Sequence, residues 1–369
     1  MATRWVRHGK GRPMSHPIRI GRLSILAAGL GIGAALASTP QIASADPSAD
    51  PFSWADQMLS GLAVPAADAA APLDMQISIS GIDLFSTVGN TATATSGFGD
   101  IAIAVGDGAN ATATGFGDLS FANGIDSSAS TGLGGLFDVA IANGAGSNAS
   151  GGVAGNFVLA SAFGDHSSAG AGLLGNFVIA SANGVGSTAG AGVGSNFDIA
   201  SANGAGSNAT VGIGGGLDTA FADGANADAD AGVGQGNNAI ALGADSNAVA
   251  GVGNNDLATA INGGDATAGG FQSIAFADGA NSDAQTAGFG DIASIINTGS
   301  AFDQAFSGGT AAIPFSDNDL ALIIGTDSTA IAGSSATTAG DWDIAAVFGD
   351  LLHANATGAN FLFDILPSL

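Results

Sequence analysis

Cysteine, tyrosine and glutamate are absent from this sequence. Without cysteine there is no disulfide framework, no thiolate nucleophile and no sulfur ligand for a metal. Basic residues run out early: Arg4, Arg7, Lys10, Arg12, Arg19 and Arg22 are the only six, and none follows. Beyond residue 22 nothing can neutralise phosphate groups, which excludes nucleic acid as a partner and removes any attraction to anionic lipid. Aromatic residues make up only 6% of the chain, too few for a thick globular core.

What fills the space is glycine (61 of 369 residues), alanine, asparagine, serine and aspartate. Apolar residues still reach 46%, well above the level of a disordered chain. All 31 acidic residues are aspartates, and the first is Asp46. The charge is therefore divided along the chain, basic at the start and acidic everywhere after.

Residues 1–45 read as a secretory signal. A basic region ends at Arg22, an apolar run spans Leu23–Ala37, and Ala43-Ser44-Ala45 offers a small-residue cleavage site before Asp46. The apolar run is short for the ~20 residues that cross a bilayer. Cleavage is expected to leave a secreted or cell-surface product with no membrane span. Six basic and 31 acidic side chains make the precursor −25; loss of all six basic residues leaves −31.

An internal repeat organises the rest. FDVAIANGAGSNAS from Phe137 recurs without gaps at Phe157, Phe177, Phe197 and, more loosely, Leu217, always 20 residues apart. Looser copies from Gly99 to Trp342 bring the total to about thirteen. Each unit alternates with period two, the period of a strand, then turns at Asn-Gly and runs through a second short alternating stretch. The fold class expected is all-β: a parallel β-solenoid, a thin two-strand β-roll of 17–20-residue repeats over residues 76–351. Residues 46–75 would be a linker with a short amphipathic segment (Phe52–Leu62), and residues 352–369 a hydrophobic cap.

Stacking coils ~4.8 Å apart places equivalent residues in ladders. Phe137, Phe157, Phe177 and Phe197 form one, with Ala140, Ala160, Ala180 and Ala200 on the opposite strand face, and Asn143, Asn183 and Asn203 at the turn. Both strand faces are apolar or small. Either the cross-section is thin enough for alanine to pack inside, or one face is covered by another copy.

The units Asp100–Ala113 and Asn238–Ala250 resemble the head repeats of trimeric autotransporter adhesins (YadA-like heads). Ala-Ser-Ala-Asp-Pro followed by Gly/Ala/Asn repeats is also similar to exported Gly/Ala-rich repeat proteins of mycobacteria. The first resemblance implies a β-roll, a homo-oligomer (a trimer) and adhesion to an unknown surface ligand.

The chemistry available is narrow. Asp165-His166-Ser167 contains the residue types of a hydrolase triad, but adjacent residues cannot adopt its geometry. His353 stands alone, and no zinc spacing occurs. The chain is thus expected to be no enzyme and to carry no cofactor, with calcium the one candidate. Aspartates open many coils (Asp100, Asp118, Asp138, Asp198, Asp218, Asp256, Asp291), and stacked carboxylates repel unless screened or bridged by a hard cation. Asp223, Asp228 and Asp230 are the densest set and the candidate calcium ligands. The function expected is an exported structural or adhesin-like surface repeat protein, with a calcium-stabilised binding module as the alternative.

Overall fold

The computed structural model describes residues 74–194, 196–296, 302–308, 318–333, 342–357 and 363–367. The proposed signal and most of the linker lie outside them. The described residues belong to one compact unit, Pro72–Leu369.

This unit is a parallel β-solenoid of about 12 turns, close to the number of copies counted in the sequence. Each coil places one strand in a first sheet and the next in a second. In the coil from Phe137 these are Val139–Asn143 and Asn148–Ser150, and both pair in parallel with their counterparts 20 residues on. Glycines turn the chain between them: Gly144 and Gly146 have φ of 139° and 62°, conformations side chains resist.

Alternation within the strands resolves the question of which face is inside. Ala140, Ala142 and Ala149 are fully buried, as are Ala160, Ala180, Ala200 and their equivalents through the stack. Phe137, Phe157, Phe177 and Phe197 point outward. The two sheets lie close enough for methyl groups to fill the gap between them, so most of the core is alanine. The largest fully buried side chains are Ile295 and Ile323, in the later coils.

The stack begins with an antiparallel hairpin. Strand β1 (Met75–Ile79) pairs antiparallel with Ile101–Val105 and with β2 (Ile82–Ser86), through a turn at Ser80-Gly81 where both residues have positive φ. At the far end, His353–Thr357 and Phe363–Pro367 add one strand to each sheet. Part of the segment expected as a cap is therefore another layer of the ladder.

Each coil thus has the two strands expected of it, one in each long sheet. Coils carry a third, short side between the second sheet and the return to the first. It is seen as parallel pairing of Gly115–Phe116 with Gly135–Leu136, and as single bridges linking Leu136, Asn156, Asn176, Asn196, Gly216 and Gln235. The length of a 20-residue repeat accommodates this side.

Candidate interaction surface

The aspartates that open the coils are not on the surface. Asp100, Asp118, Asp138, Asp198, Asp218, Asp256, Asp291, Asp319 and Asp343 are all buried. They lie at the corner where the third side meets the first sheet, and from Asp100 to Asp319 the carboxylates serve the neighbouring coil. Asp100 Oδ1 accepts the amide N–H of Asp118 (3.0 Å), Asp118 that of Asp138 (2.9 Å), and Asp138 that of Val158 (2.9 Å). Asp218 accepts from Asn237 at 2.7 Å and Asp256 from Ser273 at 3.0 Å. A glycine three residues earlier makes room: a Cβ on Gly135 would fall on Asp138 Oδ2.

Burial has an electrostatic consequence. Desolvation pushes Asp138 up to about 6, against the opposing hydrogen bond from Val158 and with the Asp118 charge adding to the rise. Desolvation likewise raises Asp218 to about 6 and outweighs its bond from Asn237. Asp256 is raised for the same reason. These groups are buried carboxyls aligned along the stack, each used to satisfy a backbone donor.

The calcium candidates fare differently. Asp228 and Asp230 stand two residues apart on the outer face of one strand, Asp228–Ala231, and Asp228 accepts Asn208 Nδ2 at 2.9 Å. Asp230 is raised by burial, then by the Asp228 charge. Asp223 is exposed at the end of the preceding strand, across the turn. The three are not gathered into one ligand set, and among the described residues no cluster of three acidic or histidine side chains could hold a metal ion. Chelation with EDTA is expected to leave the thermal midpoint within ~1 °C of its untreated value, whereas a site holding calcium at 100 times its Kd would add about 2.7 kcal/mol.

Asp165, His166 and Ser167 are each occupied structurally. Asp165 Oδ1 accepts the Ala145 amide at 2.9 Å, and Ser167 Oγ donates to the Gly164 carbonyl at 2.8 Å. His166 sits exposed at a turn with φ 57°, where Gly146, Gly186 and Gly206 stand in other coils. A hollow of about 300 Å³ near the hairpin is lined by Gln76, Ser78, Asp83, Thr93 and Thr95, and contains neither His166 nor His353.

The third side is the most unusual surface. The residue before the buried aspartate, or before the Val158, Val178, Asn237 or Ser273 that replaces it, adopts a left-handed conformation in coil after coil. Gly99, Gly117, Gly236 and Gly290 occupy it, or Asn255 and Asn318, the residue types that tolerate positive φ; Gln272 and Trp342 stand there in two late coils. In five consecutive coils the occupant is instead Phe137, Phe157, Phe177, Phe197 or Leu217, with φ between 58° and 67°. A bulky side chain there costs on the order of 1–2 kcal/mol per residue. The four rings are 48–55% exposed and stack with centroids 5.7, 5.1 and 5.0 Å apart.

Beside them runs an aliphatic ladder, Leu133, Val153, Leu173, Val193, Ile213 and Val233, also exposed. Between the ladders, Asn156, Asn176 and Asn196 hydrogen-bond along the stack at 2.8 and 2.9 Å. Sequence reasoning placed its asparagine ladder at Asn143, Asn183 and Asn203, where Phe163 interrupts the row. The sequence sign of the other row is Asn-Phe, which recurs at 156–157, 176–177 and 196–197.

Comparison with family models, with curated proteins and with solved structures gives no match.

Proposed function

We propose that this chain is an exported, non-catalytic repeat protein that acts outside the cell as a structural or adhesin-like surface element. The observation that carries this reading is the solenoid itself: polar groups at its core serve as backbone acceptors, and its outer faces repeat similar side chains from coil to coil. Such a surface suits contact over a length rather than chemistry at a point. The likeness of Asn238–Ala250 to adhesin head repeats and the signal-like residues 1–45 point the same way. Among the described residues no helix is long and apolar enough to cross a membrane.

Expression of the full chain in a secreting bacterial host tests the export half. The extracellular or surface-bound product is expected to begin at Asp46 and to yield no tryptic fragments even when denatured, because no Lys or Arg follows residue 22. A product retained in the cytoplasm with its first 45 residues intact would sink it. Adhesion is tested by binding of the purified product to extracellular matrix and glycan surfaces, with no turnover of either.

A further inference from the structure

We infer that the third side of the solenoid, over the coils from Phe137 to Leu217, is a self-association surface, and that its occupant is the same surface of a second copy of this chain. The inference goes beyond the export reading and does not rest on it.

Three observations converge. First, the aromatic ladder is built where the backbone disfavours it. Glycine or asparagine fills the same left-handed position in six other coils, and Gln272 and Trp342 in two more, so the fold does not require phenylalanine there. Strain maintained through five successive coils points to a use for the exposed rings.

Second, the strip carries no charge. Residues 131–137, 151–157, 171–177, 191–197 and 211–217 contain no ionisable side chain. Exposed aspartates sit instead at the turn between the two long sheets, at Asp107, Asp126, Asp165, Asp223 and Asp245, the corner opposite the third side. Two copies meeting through their third sides would set these acidic corners far apart. Contact at that corner would bring carboxylates together, with no basic residue beyond Arg22 to offset them.

Third, the size suits a pair. Four half-exposed rings, each able to bury 150–250 Å² in full, offer roughly 400 Å². The aliphatic ladder beside them brings the strip toward the ~800 Å² per partner of a standard interface. A strip that meets its own copy makes one isologous contact, which closes as a two-fold pair; a ring would need two different patches. The rings stack on one another and present their edges outward, so they suit interdigitation with another apolar ladder better than stacking of a flat ligand.

The test is sedimentation velocity of the full chain, beside a variant carrying Phe157→Asn, Phe177→Asn and Phe197→Asn. Asparagine is accepted at this position in the native coils of Asn255 and Asn318, so the variant keeps its solenoid, checked by an unchanged β-sheet circular dichroism spectrum. The wild type is expected to form a dimer with a Kd at or below ~10 µM, and the variant to weaken it at least ~100-fold. Because the chain has no native cysteine, Asn176→Cys can be bridged by a short bismaleimide. Cross-linked dimers are expected from Asn176→Cys and not from Ala205→Cys at the acidic corner. A monomeric wild type, a trimer, a dimer that survives the triple substitution, or equal cross-linking at both cysteines would each overturn the proposal.

Discussion

Gly172→Ala is expected to break the solenoid locally, at a cost of roughly 3–5 kcal/mol. Gly172 lies at the start of the third side, directly over Gly192, and a Cβ there would fall on the Gly192 carbonyl oxygen. The obstacle is backbone, held in register by the parallel ladders on either side, so it cannot move aside as a flexible side chain would. The same stacking recurs at Gly132 and Gly152, each beneath the carbonyl of the next coil's glycine. Two positions earlier, Gly170 has nothing within 4 Å of its would-be Cβ, and Ser150 and Thr210 occupy the equivalent place. Gly170→Ala is therefore the control, expected within about 0.5 kcal/mol of wild type. Urea unfolding reads the difference, and limited chymotrypsin digestion locates it. Cleavage should appear around Leu173, Leu174 and Phe177 in the Gly172 variant alone. Because each repeat contacts only its neighbours, the outer coils should outlast the break, visible as a broadened or two-step transition. Equal midpoints for the two variants would show that the close coil-to-coil approach at Gly172 does not limit stability.

Asp138→Asn is expected to stabilise the protein by about 1–2 kcal/mol at pH 7, a substitution of an unusual sign. Asp138 Oδ1 accepts the Val158 amide, while Oδ2 is buried with no hydrogen-bond partner. The fold already contains the remedy. At Asn237 the same corner holds an amide whose Oδ1 accepts from Asp256 and whose Nδ2 donates to the Gly253 carbonyl at 3.2 Å. Asparagine at 138 would keep the acceptor and bring a donor toward Gly155, the glycine equivalent to Gly253.

The same burial sets a pH dependence. The Asp138 carboxyl has an ordinary value of 3.8 and is raised to about 6 in the folded chain, so the folded state holds the proton more tightly than the unfolded state. Stability from this group is fully present below pH 3.8 and is lost as pH rises through about 6; Asp218 behaves alike. Acidification from pH 7 to 4.5 is thus expected to raise the melting temperature, where many proteins begin to lose stability. Asp138→Asn should flatten that slope as well as lift the value at pH 7. A melting temperature that falls steadily from pH 7 to 4.5 would contradict the buried, partly unsatisfied carboxyl.

The repeat, its length and its strand period were legible in the residues because each follows from local rules. Alternation marks strands, Asn-Gly marks turns, and ungapped recurrence at 20 residues dictates register, so Phe157 and Phe177 had to stand one above the other. The direction of those strands toward core or solvent was not legible, since phenylalanine, isoleucine and alanine are all apolar and either face could have been buried. Only the separation of the two sheets decides it: the gap is filled by the methyl groups of Ala140, Ala160 and Ala180, and the rings must go outside.

The same limit explains the aspartates. A row of acidic residues reads from sequence as surface charge or a cation site, because nothing in the residues themselves announces burial. The three-sided coil turns Asp138 inward and hands its carboxylate the amide of the next turn. What the sequence by itself determined is that these aspartates and phenylalanines recur as ladders in an acid-rich chain. What the tertiary structure decided is that the aspartates bind the stack from within and the phenylalanines line it from without, because the coil is wide enough for alanine and no wider.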